Sequence, residues 1–200
     1  PWEGPANGPQ AVFWHGDRYL LYYRAMTLAP EDDTGVLCVA ESPDGIHWTK
    51  PELGLVKRFG CRDTNIVGDE KGQPLMADVW LDTRPGVLDH ERVKAFASRP
   101  LSGEAHTSYR DPPGPKRLFF WGSPDGFVFH PLDPQPEMIS DLRNCFDGGN
   151  TLFWSEVEGQ YVLYYRWYDA EWGRGYRSVA RSTSHDLLTW TPSIPMTYGD

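Results

Sequence analysis

The strongest constraint on the fold of this chain is an internal repeat. Copy one, at residues 11–51, reads AVFWHGDRYLLYYR and then VLCVAESPDGIHWTKP; copy three, at 151–192, reads TLFWSEVEGQYVLYYR and then YRSVARSTSHDLLTWTP. A more divergent copy two lies between them, at 75–132. Repeats of about 60 to 80 residues built of short strands are typical of β-propeller blades. Because packing explains most residues of a repeat, chemistry is expected where the copies differ.

Each copy contains four strand-like runs bounded by turn residues. The predicted strands are 11–14, 19–24, 36–42 and 46–50 in copy one, 75–82, 92–98, 117–123 and 127–132 in copy two, and 151–154, 161–166, 176–182 and 187–192 in copy three. A helical turn or two is expected only at 137–144. The pattern predicts an all-β fold, a β-propeller of which this chain covers about three four-stranded blades.

The blade-like units are expected at about 1–56, 57–140 and 141–200. Propellers have about four to eight blades, so three units do not close a ring. The chain begins at Pro1 without an initiator methionine or a signal peptide. We therefore expect a segment of a longer protein, with the remaining blades outside it.

The last turn of each copy carries an aspartate at the same place. Residues 42–45 read Ser-Pro-Asp-Gly, residues 123–126 repeat them, and residues 183–186 read Thr-Ser-His-Asp. Asp-Gly between β-rich runs predicts a tight hairpin, because glycine tolerates the positive φ of a type I′ turn. We expect Asp44, Asp125 and Asp186 to stabilise their own turns rather than to act in catalysis.

Composition and charge exclude several classes of function. The net charge is −9, which repels a phosphate backbone. No apolar run approaches the roughly 20 residues of a membrane span. The three cysteines and six histidines are scattered, and no nucleotide-binding motif is present. We expect no nucleic-acid partner, no membrane span, and no metal or other cofactor.

Three short segments resemble segments of known proteins. They are AESPDGIHW at 40–48, NIV at 65–67 and ARSTSHDLLTW at 180–190. Together with the strands that end in Tyr-Tyr-Arg, they resemble the five-bladed β-propeller glycosidases of families 43 and 32. The turn also resembles the Asp-box of sialidases, which is structural. The resemblance implies a glycoside hydrolase that acts on oligo- or polysaccharide through acidic residues in a central pocket, and it favours a secreted or periplasmic location.

Two carboxylates stand ahead of predicted inner strands. Glycoside hydrolysis requires two carboxyl groups, one as acid and one as nucleophile or base. Asp147 lies four residues before the strand at 151–154 and is followed by two glycines. Glu3, in Trp2-Glu3-Gly4-Pro5, resembles the Glu-Gly-Pro element that carries the general acid in family 43. We expect Glu3 as acid and Asp147 as base or pKa-setting partner; capping a glycine-rich turn is the alternative for Asp147.

Copy two offers Asp78, or else Asp82, as a third acidic residue, and an ordinary strand-edge position is the alternative for both. Asn7 aligns with Asp147 in copy one, and an amide there suits a sugar hydroxyl better than acid–base chemistry. Asn150, at the end of the Asp147 segment, is also expected to bind substrate.

Arginines end equivalent strands in two copies. Arg24 and Arg166 are suited to bidentate hydrogen bonds with a substrate, although a salt bridge inside each blade explains the repetition as well. Trp167, Tyr168 and Trp172 are expected in a loop after Arg166. They offer a stacking platform for a sugar ring or form a buried cluster.

Two other functions compete with hydrolysis. The first is a non-catalytic carbohydrate-binding propeller, which Asn7 favours because it replaces an acidic residue with a neutral one. The second is a protein-interaction propeller, which predicts large exposed loops and no sugar binding. The sequence leaves the sugar, the linkage and the stereochemistry open.

Overall fold

The computed structural model describes residues 2–26, 35–100, 116–140, 145–146, 149–168 and 177–198. These residues form an all-β structure without an α-helix, and one short 3₁₀-helix spans Asp89–Glu91. The strands are β1 Ala6–His15, β2 Arg18–Met26, β3 Val36–Ser42, β4 Asp78–Leu81, β5 Val93–Pro100, β6 Lys116–Ser123, β7 His130–Pro131, β8 Ile139–Ser140, β9 Thr151–Ser155, β10 Gln160–Tyr168, β11 Arg177–Ser184 and β12 Ile194–Pro195.

The chain divides into two compact units. Unit 1 comprises Pro1–Asp82, Gly86–Ala95 and Trp121–Leu132. Unit 2 comprises Thr83–Pro85, Phe96–Phe120 and Asp133–Asp200.

The first sheet of unit 1 is antiparallel, with the strand order β1-β2-β3. Gly16 adopts a φ of 64° in the β1–β2 turn. Trp14 precedes this turn and Tyr19 follows it. Their rings pack edge-on, with centroids 4.9 Å apart. Trp154 and Tyr161 in unit 2 form the same edge-on pair at 5.0 Å. The repeated aromatic residues therefore serve the packing of a hairpin in both copies.

The neighbour of β3 on its outer side is not the segment that the sequence predicts. Residues 46–50 form no strand, and only Thr49 makes an isolated bridge, to Glu41. The segment 65–67 runs beside β3 instead: the Val39 amide donates to the Asn65 carbonyl, and the Val67 amide donates to the Leu37 carbonyl, both at 3.0 Å. This pairing places Asn65 at the edge of the sheet, beside β3.

A small apolar cluster lies under this sheet. Its buried members are Ala25, Val36, Cys38, Val56 and Ile66. Trp2, Tyr23 and Leu55 are partly buried and pack against it. The cluster therefore holds Trp2 beside β2 and β3.

The second sheet has the strand order β4-β5-β6-β7, and β8 pairs with β6. Strands β5 and β6 lie close to the predicted bounds, whereas β7 is only two residues of the predicted run 127–132. The prediction of a helical turn at 137–144 is wrong for its described part, because Ile139 and Ser140 pair with Arg117 and Lys116. Residues 141–144 lie outside the described residues.

The third sheet, in unit 2, has the order β12-β11-β10-β9. The prediction of a strand at 187–192 is wrong, since β12 lies at Ile194–Pro195 and pairs with Ala180 and Arg181. The prediction that Trp167 and Tyr168 lie in a loop is also wrong. Both belong to β10, where they pair with Ser178 and Arg177 of β11.

The aspartates of the repeated turns do what the turn residues predict. The Asp44 carboxylate accepts hydrogen bonds at 2.8 Å from the amides of Ile46 and His47. Asp186 repeats these bonds with the amides of Leu188 and Thr189, also at 2.8 Å. Each carboxylate thus accepts the hydrogen bonds of amides two and three residues further along the chain. These amides are then not available for pairing with a neighbouring strand. This explains why 46–50 and 187–192 are not strands.

Candidate functional site

Glu3 lies at the centre of a hydrogen-bonded cluster in unit 1. Its side chain is 18% exposed and forms an ion pair with Lys50, whose Nζ donates to Oε2 at 2.6 Å. The Tyr23 hydroxyl donates to the other carboxylate oxygen, Oε1, at 2.5 Å. Both oxygens of this half-buried carboxylate therefore have a strong donor.

A second layer of hydrogen bonds fixes the direction of the Tyr23 hydroxyl. The Asn65 side-chain amide donates to the Tyr23 oxygen at 2.7 Å and to the Val39 carbonyl at 2.8 Å. Trp2 Nε1, which is only a donor, bonds the Asn65 side-chain oxygen at 2.8 Å and so fixes the orientation of the amide. Since Tyr23 accepts from Asn65, its single proton points at Glu3. We call Trp2, Glu3, Tyr23, Lys50 and Asn65 the Glu3 cluster.

The cluster keeps Glu3 charged. Burial raises the pKa of this carboxyl group, but the hydrogen bonds from Lys50 and Tyr23 and the charge of Lys50 outweigh it, so that the pKa lies below its ordinary value. Burial and the bond to Glu3 raise the pKa of Tyr23, which stays a neutral donor. Burial and the charge of Glu3 raise the pKa of Cys38 to about 12, and that thiol also stays neutral. Glu3 is thus a carboxylate at neutral pH in the free protein.

The equivalent tyrosine of copy three has no such role. Tyr165 is the second tyrosine of its Tyr-Tyr-Arg run, as Tyr23 is in copy one. Its hydroxyl lies 3.3 Å from the Ser140 hydroxyl, and its ring stacks on Phe146 with centroids 4.3 Å apart. Where copy one has Trp-Thr-Lys at 48–50, copy three has Trp-Thr-Pro at 190–192. Copy three therefore has no counterpart of Lys50, the residue that forms the ion pair with Glu3.

The second expected catalytic carboxylate, Asp147, lies outside the described residues. The two residues before it, Cys145 and Phe146, form hydrogen bonds within unit 2. The buried Lys116 donates to the Cys145 carbonyl at 2.7 Å, and the Phe146 amide donates to the Arg166 carbonyl at 2.9 Å. Phe146 has a φ of 61°, which non-glycine residues rarely adopt. The chain is thus held firmly just before Asp147.

The acidic candidates of copy two have different surroundings. Asp78 begins β4 and is half-buried. Asp82 is fully buried, and Lys94 Nζ lies 3.2 Å from its carboxylate. An ion pair of two buried side chains accounts for Asp82 without a role in catalysis.

The expected substrate-binding residues are spread over several strands. Asn7 is exposed in β1 opposite Ala25, and Arg24 is half-buried in β2. In unit 2, the Asn150 amide lies 3.5 Å from the Phe146 carbonyl, and the Arg166 guanidinium lies over the Tyr168 ring, 5.8 Å from its centroid. Trp167 is half-buried within β10. Sequence reasoning singled out Glu3 but not Tyr23 or Lys50, which bind it.

The described part of the chain contains neither a metal-binding cluster nor a membrane-spanning helix. No group of three or more His, Cys, Asp or Glu side chains has an arrangement that could hold a metal ion there. In the same residues, no helix is long and apolar enough to cross a membrane.

Several solved structures share this architecture. An exo-inulinase from Aspergillus awamori matches all of this chain and 38% of its own length, with a TM-score of 0.55 and 17% identity. A sucrose-6-phosphate hydrolase from Lactobacillus gasseri gives 0.51 and 15%, over 92% of this chain and 32% of the hydrolase. An N-acetylgalactosamine deacetylase from F. plautii, in complex with blood group B trisaccharide, gives 0.52 and 13%, over 94% of this chain and 52% of the deacetylase.

The chain has the fold of the propeller glycosidases. It spans between about a third and about half of the length of these three structures. No protein-family model and no curated protein matches the sequence. The resemblance inferred from the repeated turns is thus confirmed at the level of the fold.

Proposed function

We propose that this chain is part of a five-bladed β-propeller that hydrolyses glycosidic bonds, with Glu3 as its general acid. The observation that carries the proposal is the Glu3 cluster, in which a half-buried carboxylate receives hydrogen bonds from Tyr23 and Lys50. The solved structures with this fold support carbohydrate as the substrate class, since their names include two enzymes of sugar hydrolysis and one complex with a trisaccharide.

The reaction needs a second carboxylate on the other side of the scissile bond. In this proposal Asp147 supplies it, as base or as the partner that sets the pKa of the acid, and Asp78 is the third acidic residue. Asn7, Asn150, Arg24, Arg166 and Trp167 bind hydroxyl groups or the ring face of the sugar. Further blades, outside this segment, complete the pocket.

Hydrolysis by the full-length protein tests this assignment. Suitable substrates are inulin, sucrose 6-phosphate and a panel of alkyl glycosides, with released sugar as the readout. A general acid or base contributes about 10²- to 10⁴-fold to the rate, so Glu3→Gln and Asp147→Asn should each lower kcat/KM at least about a hundredfold. Glu52→Gln is the matched control, because Glu52 is an exposed glutamate of unit 1. Unchanged rates in both variants would refute the residue assignment.

A binding module without hydrolytic activity is the second candidate, and Asn7 favours it. This residue stands where copy three has Asp147, and it is exposed in β1. A site with one carboxylate holds a sugar by hydrogen bonds but lacks the second group that hydrolysis requires. Calorimetric titration with blood group B trisaccharide and inulin separates the two functions: binding without turnover of any substrate supports the module.

A further inference from the structure

Glu3 and Lys50 differ sharply in how they are held. The Glu3 side chain is 18% exposed, whereas the Lys50 side chain is 55% exposed and reaches the carboxylate from outside. Lys50 follows Thr49, whose amide and carbonyl are bound to Glu41. The backbone next to Lys50 is therefore fixed, while its ammonium group sits at the end of a long, flexible stem.

The charge state of Glu3 in the free protein does not match its proposed role. A general acid must carry a proton when the substrate is bound. In the free protein, two donors hold Glu3 as a carboxylate. Tyr23 is anchored by Asn65 and stays in place. Lys50 is the donor that is free to move, because more than half of its side chain faces solvent.

We propose that Lys50 is a displaceable counter-ion of Glu3, which holds the carboxylate in the free protein and leaves it when a saccharide binds. This inference rests on the proposed function. As a sugar binds over Glu3, the ammonium group leaves Oε2 and the carboxylate takes one proton from solvent at that oxygen, while Tyr23 still donates to Oε1. The bound sugar then covers Oε2 in place of the ammonium group. Glu3 passes this proton to the glycosidic oxygen as the C–O bond breaks. The anomeric carbon takes the hydroxyl group of a water molecule, whose proton goes to the second carboxylate that the proposed function requires. Lys50 returns when the products leave.

The other groups around Glu3 favour this exchange. Tyr23 approaches from β2 and Cys38 from β3, and burial keeps both neutral by raising the pKa of each. The positive charge of Arg58 acts on Cys38 from the segment after Lys50. With these groups constant in charge, the position of Lys50 is what changes the proton affinity of Glu3.

The pKa of the Glu3 carboxyl group in the full-length protein is the measurement that tests the proposal. Carbon-13 NMR of labelled glutamate, with the signal assigned by its loss in Glu3→Gln, gives the midpoint of its titration. Lys50→Met should move the midpoint to higher pH, and Lys50→Arg should leave it close to that of the wild type. Lys57→Met is the control, because Lys57 is an exposed lysine close by in the sequence, and it should not move the midpoint.

The same titration is then repeated with saturating blood group B trisaccharide, sucrose 6-phosphate or inulin. In the wild type at least one of these should raise the midpoint, and in Lys50→Met the further rise should be smaller. No change on replacing Lys50, or no change with any saccharide, overturns the inference. A rise with saccharide but no hydrolysis would instead refute the hydrolase and leave Lys50 as a counter-ion displaced by a bound sugar.

Discussion

Lys94 and Asp82 form an ion pair in the interior of unit 1. The ammonium nitrogen lies 3.2 Å from a carboxylate oxygen, and the two side chains are 2% and 0% exposed. Lys94 also donates to the Glu91 carbonyl at 2.7 Å. The pair joins the residue after β4 to β5, and it explains why an aspartate stands at a position where the sequence alone also suggested a catalytic group.

Breaking this pair should be costly. Lys94→Met removes the ammonium group beside the buried Asp82 carboxylate, so the free energy of unfolding should fall by about 3–5 kcal/mol. Urea denaturation measures the loss. Asp89→Asn, at an ion pair with Arg92 in which Asp89 is 97% exposed, should cost no more than about 1 kcal/mol. Equal losses in the two variants would contradict a structural role for the buried pair.

Gly126 and Gly45 occupy equivalent turns but should tolerate alanine differently. Both have positive φ, 82° and 75°, which costs an alanine about 1–2 kcal/mol. At Gly45 the added methyl group meets only the Tyr19 ring, at 3.6 Å. At Gly126 it overlaps the buried Tyr22 hydroxyl, which donates to the Gly126 carbonyl at 2.7 Å. Gly126→Ala should therefore cost about 1–3 kcal/mol more than Gly45→Ala in urea denaturation; equal costs would exclude the close contact.

Asp44 should make stability depend on acid. The hydrogen bonds from the His47 side chain and from the amides of His47 and Ile46 hold the pKa of Asp44 well below its ordinary value. A carboxyl group with a depressed folded-state pKa stabilises the fold above its unfolded pKa, near 3.9, and loses this contribution as the pH falls further. The advantage of the wild type over Asp44→Asn should shrink from about pH 5 downwards. Asp17→Asn, at an exposed aspartate, is the control, and a constant advantage would argue against the depressed pKa.

Lys116 should make stability rise with pH in the alkaline range. Burial lowers the pKa of this lysine to about 8. Between about pH 8 and about 10.4 the unfolded chain binds more protons at this site than the folded one, so stability rises with pH. Relative to Lys116→Met, the wild type should gain stability over this range in urea denaturation. Lys71→Met, at an exposed lysine, should show no such slope. A flat difference for Lys116 would mean that its charge is not penalised by burial.

The sequence predicts the elements whose pattern is local. The run VLCVAES is apolar and β-branched, and β3 has the predicted bounds Val36–Ser42. The run at 46–50 alternates apolar and polar residues, but Ile46 is 76% exposed because Asp44 binds the amides of this segment. Its place beside β3 is taken by 65–67, a pairing across 26 to 30 residues that no local pattern reveals.

The candidate site is only partly predictable, because local patterns do not reveal contacts between distant segments. A three-residue resemblance indicates Glu3, whereas Tyr23, Lys50 and Asn65 come from three separate segments that only the fold brings together. One signal was present: Lys50 stands where copy three has Pro192. Comparing the copies position by position finds this difference, but the repeated Tyr23 gives no such indication.

The dependence of the Glu3→Gln rate on the leaving group tests the central claim most directly. A general acid matters most when the departing oxygen is a poor leaving group and least when it is a nitrophenolate, which needs little protonation. With the sugar that the full-length protein hydrolyses fastest, we expect Glu3→Gln to lose at least about a hundredfold on the alkyl glycoside and far less on the nitrophenyl glycoside. An equal loss on both, or none on either, would contradict the assignment of Glu3 as the general acid of a carbohydrate-active propeller.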